Sequence, residues 1–317
     1  MMTLEELQDK ANEIRQDVIK MLVSAGSGHS AGSLGMADVF TAVYFGGKLN
    51  LDPKNPWDEN RDRIILSNGH ICPVWYAALA HAGYFPKEEL LTFRKINSRL
   101  QGHPHFRSAP GIENTSGPLG QGVSTAVGVA MAVRKKQEMV KNGYNGLNGQ
   151  KEKNLYSHSN HSSHSLVHLP RVICFTSDAE LQEGQTWEAA MFASKNNLDH
   201  LTFITDRNHI QIGGFTEEIM PLEPLAEKLG AFGFHVLSIN GHNFQEISNA
   251  LDFDLSIHRK PVWIMANTIP GKGVAFMENM PNWHGIPPME KGQAVEALAE
   301  LNRLRTLGEG FPGIYEK

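Results

Sequence analysis

Asp178 and Asn208 each follow a short apolar run, Val172–Thr176 and Leu201–Thr205, and they stand thirty residues apart. That interval fits one strand–helix–strand step, so both side chains would leave the same edge of a parallel sheet, where ligands bind in open α/β sheets. One carboxylate, one amide oxygen and a neighbouring carbonyl form an incomplete hard-cation site. Mg²⁺ accepts such a site because phosphate oxygens and water complete its octahedron. The same spacing also allows Asp178 to cap the helix over 184–196 and Asn208 to lie in a turn. Histidine is the second chemical signal, at fifteen residues in 317. His29, His70, His103 and His284 each lie in a glycine-rich segment, where main chain can approach a ligand closely. Imidazole near neutrality can both move protons and donate hydrogen bonds. Taken singly, each could equally be a histidine that hydrogen-bonds a turn.

The elements that must position these groups are legible in the periodicity. Leu4, Leu7, Ala11, Ile14, Val18 and Leu22 recur at helical spacing and predict an amphipathic helix over 3–23. Further helices are expected at about 36–45, 73–82 and 119–141, the last small and apolar early and basic late, as its dipole favours. A short strand is expected at 64–66 and an irregular loop over 100–117. Beyond residue 171 the pattern alternates: strands at 172–176, 201–205, 234–239 and 262–267, helices at 184–196, 222–232 and 243–255, and a closing helix at about 290–305. Alternation with near-continuous apolar strands predicts an α/β fold, a parallel sheet with helices on both faces.

Composition removes several classes. A formal charge of −5 without long basic runs gives no nucleic-acid footprint. Two cysteines, Cys72 and Cys174, are too few for a disulfide framework and suit a reducing, cytoplasmic compartment. No stretch approaches the ~18–20 apolar residues of a membrane span, and residues 1–20 are too charged for a signal peptide. Residues 142–168 are Ser/Asn/Gly-rich and carry His158, His161, His164 and His168. A flexible surface loop is expected there in preference to a metal tract, since no cysteine accompanies the histidines.

The segment Ser177-Asp-Ala-Glu-Leu-Gln-Glu-Gly-Gln-Thr-Trp-Glu-Ala189, followed by Asp206-Arg-Asn-His-Ile210, resembles the thiamine diphosphate motif of transketolases. Other blocks agree with that family in order: Ser27–Asp38, Leu66–His70, Gly102-His-Pro104, Gly117-Pro-Leu-Gly-Gln-Gly122, Gly271-Lys-Gly273 and Trp283-His-Gly285. The resemblance runs from about residue 4 to 305 and covers the family's amino-terminal half. It implies a single diphosphate-binding domain over 1–317, with an insertion at 142–168 and without the pyrimidine-binding and carboxyl-terminal domains. The chain therefore looks like the amino-terminal subunit of a split transketolase, inactive alone. It would be completed by a carboxyl-terminal partner subunit in an α2β2 assembly, acting on sugar phosphates and touching neither nucleic acid nor membrane.

The resemblance also implies roles. Asp178 and Asn208 would hold Mg²⁺, or Ca²⁺ or Mn²⁺ in its place, with the Ile210 carbonyl. Gly117, Pro118 and Leu119 would line the cofactor rings, and Ala179 would adjoin the diphosphate. Glu183 and Glu188, five residues apart on the 184–196 helix, would help link two cofactor sites across a dimer; alternatively they line a solvated helix face. His29 and His103 would serve the donor hydroxyls and the proton steps, while His70 and His284 would sit by the diphosphate. Lys272 would lie near substrate entry or be solvated. Two departures from the family pattern bear on this. Ala179 stands where a glycine is usual, a problem if the site needs positive φ. Ser30-Ala31 stands for Pro-Gly, which would loosen the loop behind His29. The alternatives are a 1-deoxyxylulose-phosphate synthase, the alpha chain of a 2-oxo acid dehydrogenase, a transketolase specialised to degrade an unusual sugar, and a non-catalytic regulatory paralogue.

Overall fold

Alternate residues of the apolar strands enter opposite cores. Ile173 and Phe175 join one buried cluster with Leu66, Ile204 and Ile264, while Val172 and Cys174 join another with Phe203 and Trp263. A strand buried on both faces is a continuous apolar run for this reason. The computed structural model describes residues 2–141, 169–256, 259–289 and 291–307. The expected insertion at 142–168, with its four histidines, lies outside the described residues.

In chain order the helices are α1 (Leu4–Ala25), α2 (Ala31–Gly35), α3 (Ala37–Phe45), α4 (Cys72–His81), α5 (Gln121–Lys141), α6 (Gly184–Lys195), α7 (Thr216–Ile219), α8 (Leu225–Ala231), α9 (Phe244–Ser256) and α10 (Lys291–Leu307). The strands are β1 (Arg63–Leu66), β2 (Val172–Ser177), β3 (Leu201–Arg207), β4 (Ile210–Gln211), β5 (Gly214–Phe215), β6 (His235–Asn240) and β7 (Val262–Asn267). Five of them form one all-parallel sheet in the order β1-β2-β3-β7-β6; β4 and β5 make a small antiparallel hairpin. Core residues of α1, α3, α4, α9 and α10 cover one face, and those of α5, α6 and α8 cover the other. The expected α/β fold is the observed one.

Local chemistry sets several boundaries. Thr3 and Glu6 form a reciprocal capping box at the start of α1, and Gly26 at φ 67° ends it. β3 runs two residues beyond the sequence expectation, because Asp206 and Arg207 continue the ladder opposite Ser177 and Asn267. α8 begins at Leu225 rather than 222, and the short α2 has no apolar period of its own to announce it. β1 is an edge strand, and the Asn114 carboxamide pairs its outer side: Leu66 N donates to Asn114 Oδ1 at 3.0 Å, and Asn114 Nδ2 donates to Leu66 O at 2.9 Å. That side-chain strand partner fixes the loop of 102–117 to the sheet. Among the described residues no helix is long and apolar enough to cross a membrane, and both cysteines are buried and unpaired.

Candidate active site

Four strands of the main sheet deliver polar groups at their carboxyl ends. Ser67 to His70 follow β1, Asp178 follows β2, Asp206 to Asn208 close β3, and Thr268 follows β7. Asp178 is 1 % exposed. Its Oδ2 accepts from the Arg207 guanidinium at 3.0 Å, the His209 amide at 2.8 Å and the Thr216 hydroxyl at 3.3 Å. Its Oδ1 is buried with no protein partner. Asp178 therefore does not cap α6; it opens a 3₁₀ turn over Asp178–Gln182, and Glu183 precedes the first turn of α6. Burial pushes the Asp178 acid up to about 6 against the pull of Arg207, and it pushes Asp206 up to about 7.

Asn208 orients this corner through both ends of its amide. Its Nδ2 donates to Asp206 Oδ2 at 2.7 Å and its Oδ1 accepts from Ile210 N at 3.0 Å. Asp206 also accepts from the Thr268 hydroxyl. The loop of α2 comes down on these groups, since a Cβ on Gly32 would stand 3.2 Å from Asp206 Oδ2. Among the described residues no three His, Cys, Asp or Glu side chains form a metal cluster. A cation here would draw on one carboxylate oxygen, an amide oxygen and main-chain carbonyls, a donor set suited to a hard ion that brings its own oxygens.

The histidines converge. The rings of His29, His70 and His284 form a triangle with centroids 5.0 Å, 5.6 Å and 5.4 Å apart. His103 joins it, because a Cβ on Gly69 would meet His103 Cδ2 at 3.2 Å. Burial, with mutual repulsion among the rings, pushes His29 down to about 4; burial does the same to His284, and His70 and His103 are also lowered. All four imidazoles are therefore neutral near pH 7, and Nδ1 of both His29 and His284 lacks a partner. Gly117 opens on free space, with no atom within 4 Å of its would-be Cβ, while Pro118 is exposed and Leu119 half-buried beside it.

Two sequence concerns are corrected. Ala179 lies in the 3₁₀ turn and is absent from the positive-φ residues, so the methyl imposes no backbone strain. The loop behind His29 is tied down: the buried Ser30 hydroxyl lies 2.9 Å from Trp283 O and 2.7 Å from Ile286 O, and Ser33 Oγ donates to His29 O at 2.8 Å. Lys272 is buried rather than solvated, with Nζ 3.8 Å from Glu278 Oε1. Glu183 and Glu188 are both exposed, and only Glu188 lies within α6.

Sequence reasoning passed over Glu180, Arg207 and Asp206. Glu180 is fully buried; it accepts from the Ser67 hydroxyl, from Gly120 N at 2.9 Å and from Ser177 N at 3.0 Å. It thereby joins the loop of His70, the Gly117–Gly120 loop and the turn of Asp178. Its Ser-x-x-Glu spacing from Ser177 was an available signal.

These features match known proteins over nearly the whole chain. The family model described as "Transketolase, thiamine diphosphate binding domain" matches residues 7–300. A Clostridium sp. (strain MSTE9) protein named 6-deoxy-6-sulfo-D-fructose transketolase subunit SqwG is 41% identical over 299 residues, 94% of this chain and 97% of that one. Actinobacillus succinogenes has an apulose-4-phosphate transketolase subunit that is 35% identical over 302 residues, 95% of this chain and 97% of that one. Among solved structures, transketolase from Leishmania mexicana superposes with a TM-score of 0.81 at 28% identity. The match covers 95% of this chain, which spans 42% of that transketolase. A neutral histidine cluster and a buried, half-satisfied carboxylate on one sheet edge thus coincide with the family's cofactor-binding domain, and the chain belongs to the transketolase family.

Proposed function

We propose that this chain is the cofactor-holding subunit of a two-subunit transketolase, which moves a two-carbon ketol unit from a ketose phosphate to an aldose phosphate. The observation that carries this reading is the convergence of His29, His70, His103 and His284, with His70 after β1 and the unpartnered Asp178 oxygen after the adjacent β2. The residues fit thiamine diphosphate and Mg²⁺, for which Ca²⁺ or Mn²⁺ could substitute. Asp178 Oδ1 and Asn208 Oδ1, with the Ile210 carbonyl, would hold the cation; Ala179 and the neutral His70 and His284 would face the diphosphate; Gly117, Pro118 and Leu119 would face the rings.

Thiamine diphosphate supplies the carbanion and the electron sink when bound. The chain's part is positioning and proton handling. His29 and His103 would accept the hydroxyl proton released as the ketose is cleaved between its second and third carbons, and would hold the resulting oxygens by hydrogen bonds. Neutral imidazoles suit this, because each can donate at one nitrogen and accept at the other.

A carboxyl-terminal partner subunit would complete the site, as the subunit names of the relatives suggest for those proteins. A second copy of this chain fits the outer face of α5 and α6. Ser124, Gly128 and Ala132 are exposed on α5, and Met191 and Phe192 on α6 are 55% and 48% exposed, with Glu188 alongside. Exposed apolar side chains on α6 and exposed small residues on α5 would allow close helix packing, which supports α2β2. The sugars named for the relatives, a sulfofructose and apulose 4-phosphate, favour a transketolase specialised for an uncommon anionic sugar.

The test is to co-express the chain with its partner and measure ketol transfer. Xylulose 5-phosphate, 6-deoxy-6-sulfofructose and apulose 4-phosphate serve as donors, with Mg²⁺ and with chelator. Turnover with at least one donor, lost on chelation, is expected. Calorimetry showing no cofactor binding by the complex at millimolar thiamine diphosphate would sink the reading.

A further inference from the structure

Phe93 is fully buried in the core, and the next residue, Arg94, is exposed with φ 60°. Few L-residues adopt that conformation without a reason in the surrounding structure. Here the Arg94 amide donates to Leu100 O at 3.0 Å, closing residues 94–100 into a loop and turning the side chain back toward the histidines. The guanidinium comes to rest against two glycines. Arg94 Cζ lies 3.9 Å from where a Cβ on Gly28 would stand, and Nε lies 2.8 Å from where a Cβ on Gly102 would stand.

Those glycines immediately precede His29 and His103. Gly28 has φ 130°, outside the ordinary range of L-residues, and any Cβ at Gly102 would drive into the guanidinium. The Gly102-His103 step is thus shaped around the guanidinium, while Gly28 is crowded first by Leu22 and Phe93 and has the guanidinium at its border. Among the described residues Arg94 forms no ion pair. With no ion pair to neutralise it, the part of this exposed guanidinium's field that water does not screen is left for whatever enters.

We propose that Arg94 is the positioning residue for His29 and His103: its guanidinium packs on the Gly102-His103 step and borders the Gly28-His29 step, and its charge stabilises the oxygen anion that forms as a substrate hydroxyl gives up its proton. The inference rests on the reading that these two histidines serve the donor hydroxyls. The field also acts on the imidazoles themselves. His29 is faced by His70, His103 and His284 as well as by Arg94, and it is held low by burial first, then by its neighbours; His103 is held low by burial and by Arg94. Removing the cation therefore raises both histidines toward neutrality.

The test compares Arg94→Met, which keeps length and loses charge, with Arg94→Lys, which keeps charge, each in the chain assembled with its partner. For Arg94→Met, kcat should fall roughly 10- to 100-fold, as for loss of one oxyanion-stabilising group, with the Kd for thiamine diphosphate unchanged. The acid limb of its pH–rate profile should move to higher pH, and Arg94→Lys should restore both the limb and most of the rate. A rate and profile equal to the parent's in Arg94→Met overturn the proposal. So do equal losses in both variants with an unmoved limb, the signature of a steric spacer. NMR titration of the histidine ring protons in the full chain reads the field without turnover. Unmoved midpoints for His29 and His103 in Arg94→Met overturn the pairing, whatever the activity. Raised midpoints in a parent complex devoid of ketol transfer support the pairing and count against the reaction instead.

Discussion

Glu180→Gln probes whether one buried carboxylate holds the cofactor loops in place. Both of its oxygens are committed to main chain: Oε1 accepts from Gly120 N at 2.9 Å as well as from the Ser67 hydroxyl, and Oε2 accepts from Ser177 N at 3.0 Å. Glutamine has one acceptor end. Whichever way its amide is turned, an NH₂ meets a fixed N–H, and a donor is left unsatisfied where glutamate was 0 % exposed. One such buried loss costs about 1–3 kcal/mol, and two facing donors roughly 2–4 kcal/mol. If the loops relieve the clash by moving, the cofactor must drive them back. About 1.4–2.8 kcal/mol of that cost then reappears as a roughly 10- to 100-fold higher Kd for thiamine diphosphate. The Tm should fall by roughly 5–10 °C. Ser67→Ala is the control: it removes the hydroxyl that donates to Glu180 and accepts from Val123 N, leaves both main-chain bonds of Glu180 and should change Kd only a few-fold. Calorimetry on the assembled complex and thermal melts give both quantities. A parent-like Kd in Glu180→Gln refutes the reasoning, and a lowered Tm beside that unchanged Kd would make Glu180 a fold residue alone.

Three further outcomes follow from the same geometry. Asp178→Asn removes the buried anion of the Arg207 pair and leaves the guanidinium its more exposed partners Glu217 and Glu223, so the free chain should lose about 3–5 kcal/mol in chemical denaturation. Cofactor binding should weaken roughly 100-fold, and excess Mg²⁺, Ca²⁺ or Mn²⁺ should not rescue it; full binding in calorimetry would remove Asp178 from the cation site. His70 and His284 are held below their ordinary value of 6.5, and an arriving diphosphate anion pulls them back up. Cofactor binding at about pH 6 should therefore take up protons, seen as binding enthalpies that vary with buffer ionisation enthalpy, and buffer-independent enthalpies would refute it. Arg207 and Asp178 are 2% and 1% exposed in their ion pair, whereas Glu223, also on Arg207, is 55% exposed. Chemical denaturation should show Arg207→Met costing about 3–5 kcal/mol and Glu223→Gln less than about 1 kcal/mol; similar costs would mean that burial does not set the value of these pairs.

Much of the fold was legible because its signals are local. The helical spacing from Leu4 to Leu22 and the apolar run Val262–Asn267 each state their element within one segment, and the structure places α1 and β7 there. Asp178 and the four histidines were legible because their motifs lie in family order. What stayed hidden depends on approach through space. Asp206 and Arg207 read as the polar end of a strand, yet they continue the ladder, because Thr268, Asn208 and Asp178 satisfy their charges from other segments. Asn114 is 48 positions from Leu66 and pairs β1 through its side chain, which no periodicity announces. Arg94 reads as one more charge in a polar loop until Gly102 is seen to make room for it.

The hidden residues share a thermodynamic character. The two cores satisfy their backbone and bury apolar surface on both sheet faces, so their sequence agrees with the fold at every level. The carboxyl edge of the sheet does the opposite. Asn68, Ser116, Asp178, His29 and His284 each keep a buried polar atom without a protein partner, and His209 sits at φ 62° where its amide must reach Asp178. Each such feature lowers the stability of the free chain, by about 1–3 kcal/mol for a buried unsatisfied group or a strained residue. The two cores compensate for them all: others such as Asn12, Thr41, His81 and Thr202 lie elsewhere in the chain, while these five lie by the site residues. A ligand that supplies donors, acceptors and charge there recovers this deficit on binding, and it stabilises the folded chain in proportion to the logarithm of its concentration above Kd. What sets the atoms at this edge apart is therefore their shared address: one ligand could satisfy Asn68, Asp178, His29 and His284 together, as no single ligand could for the scattered ones.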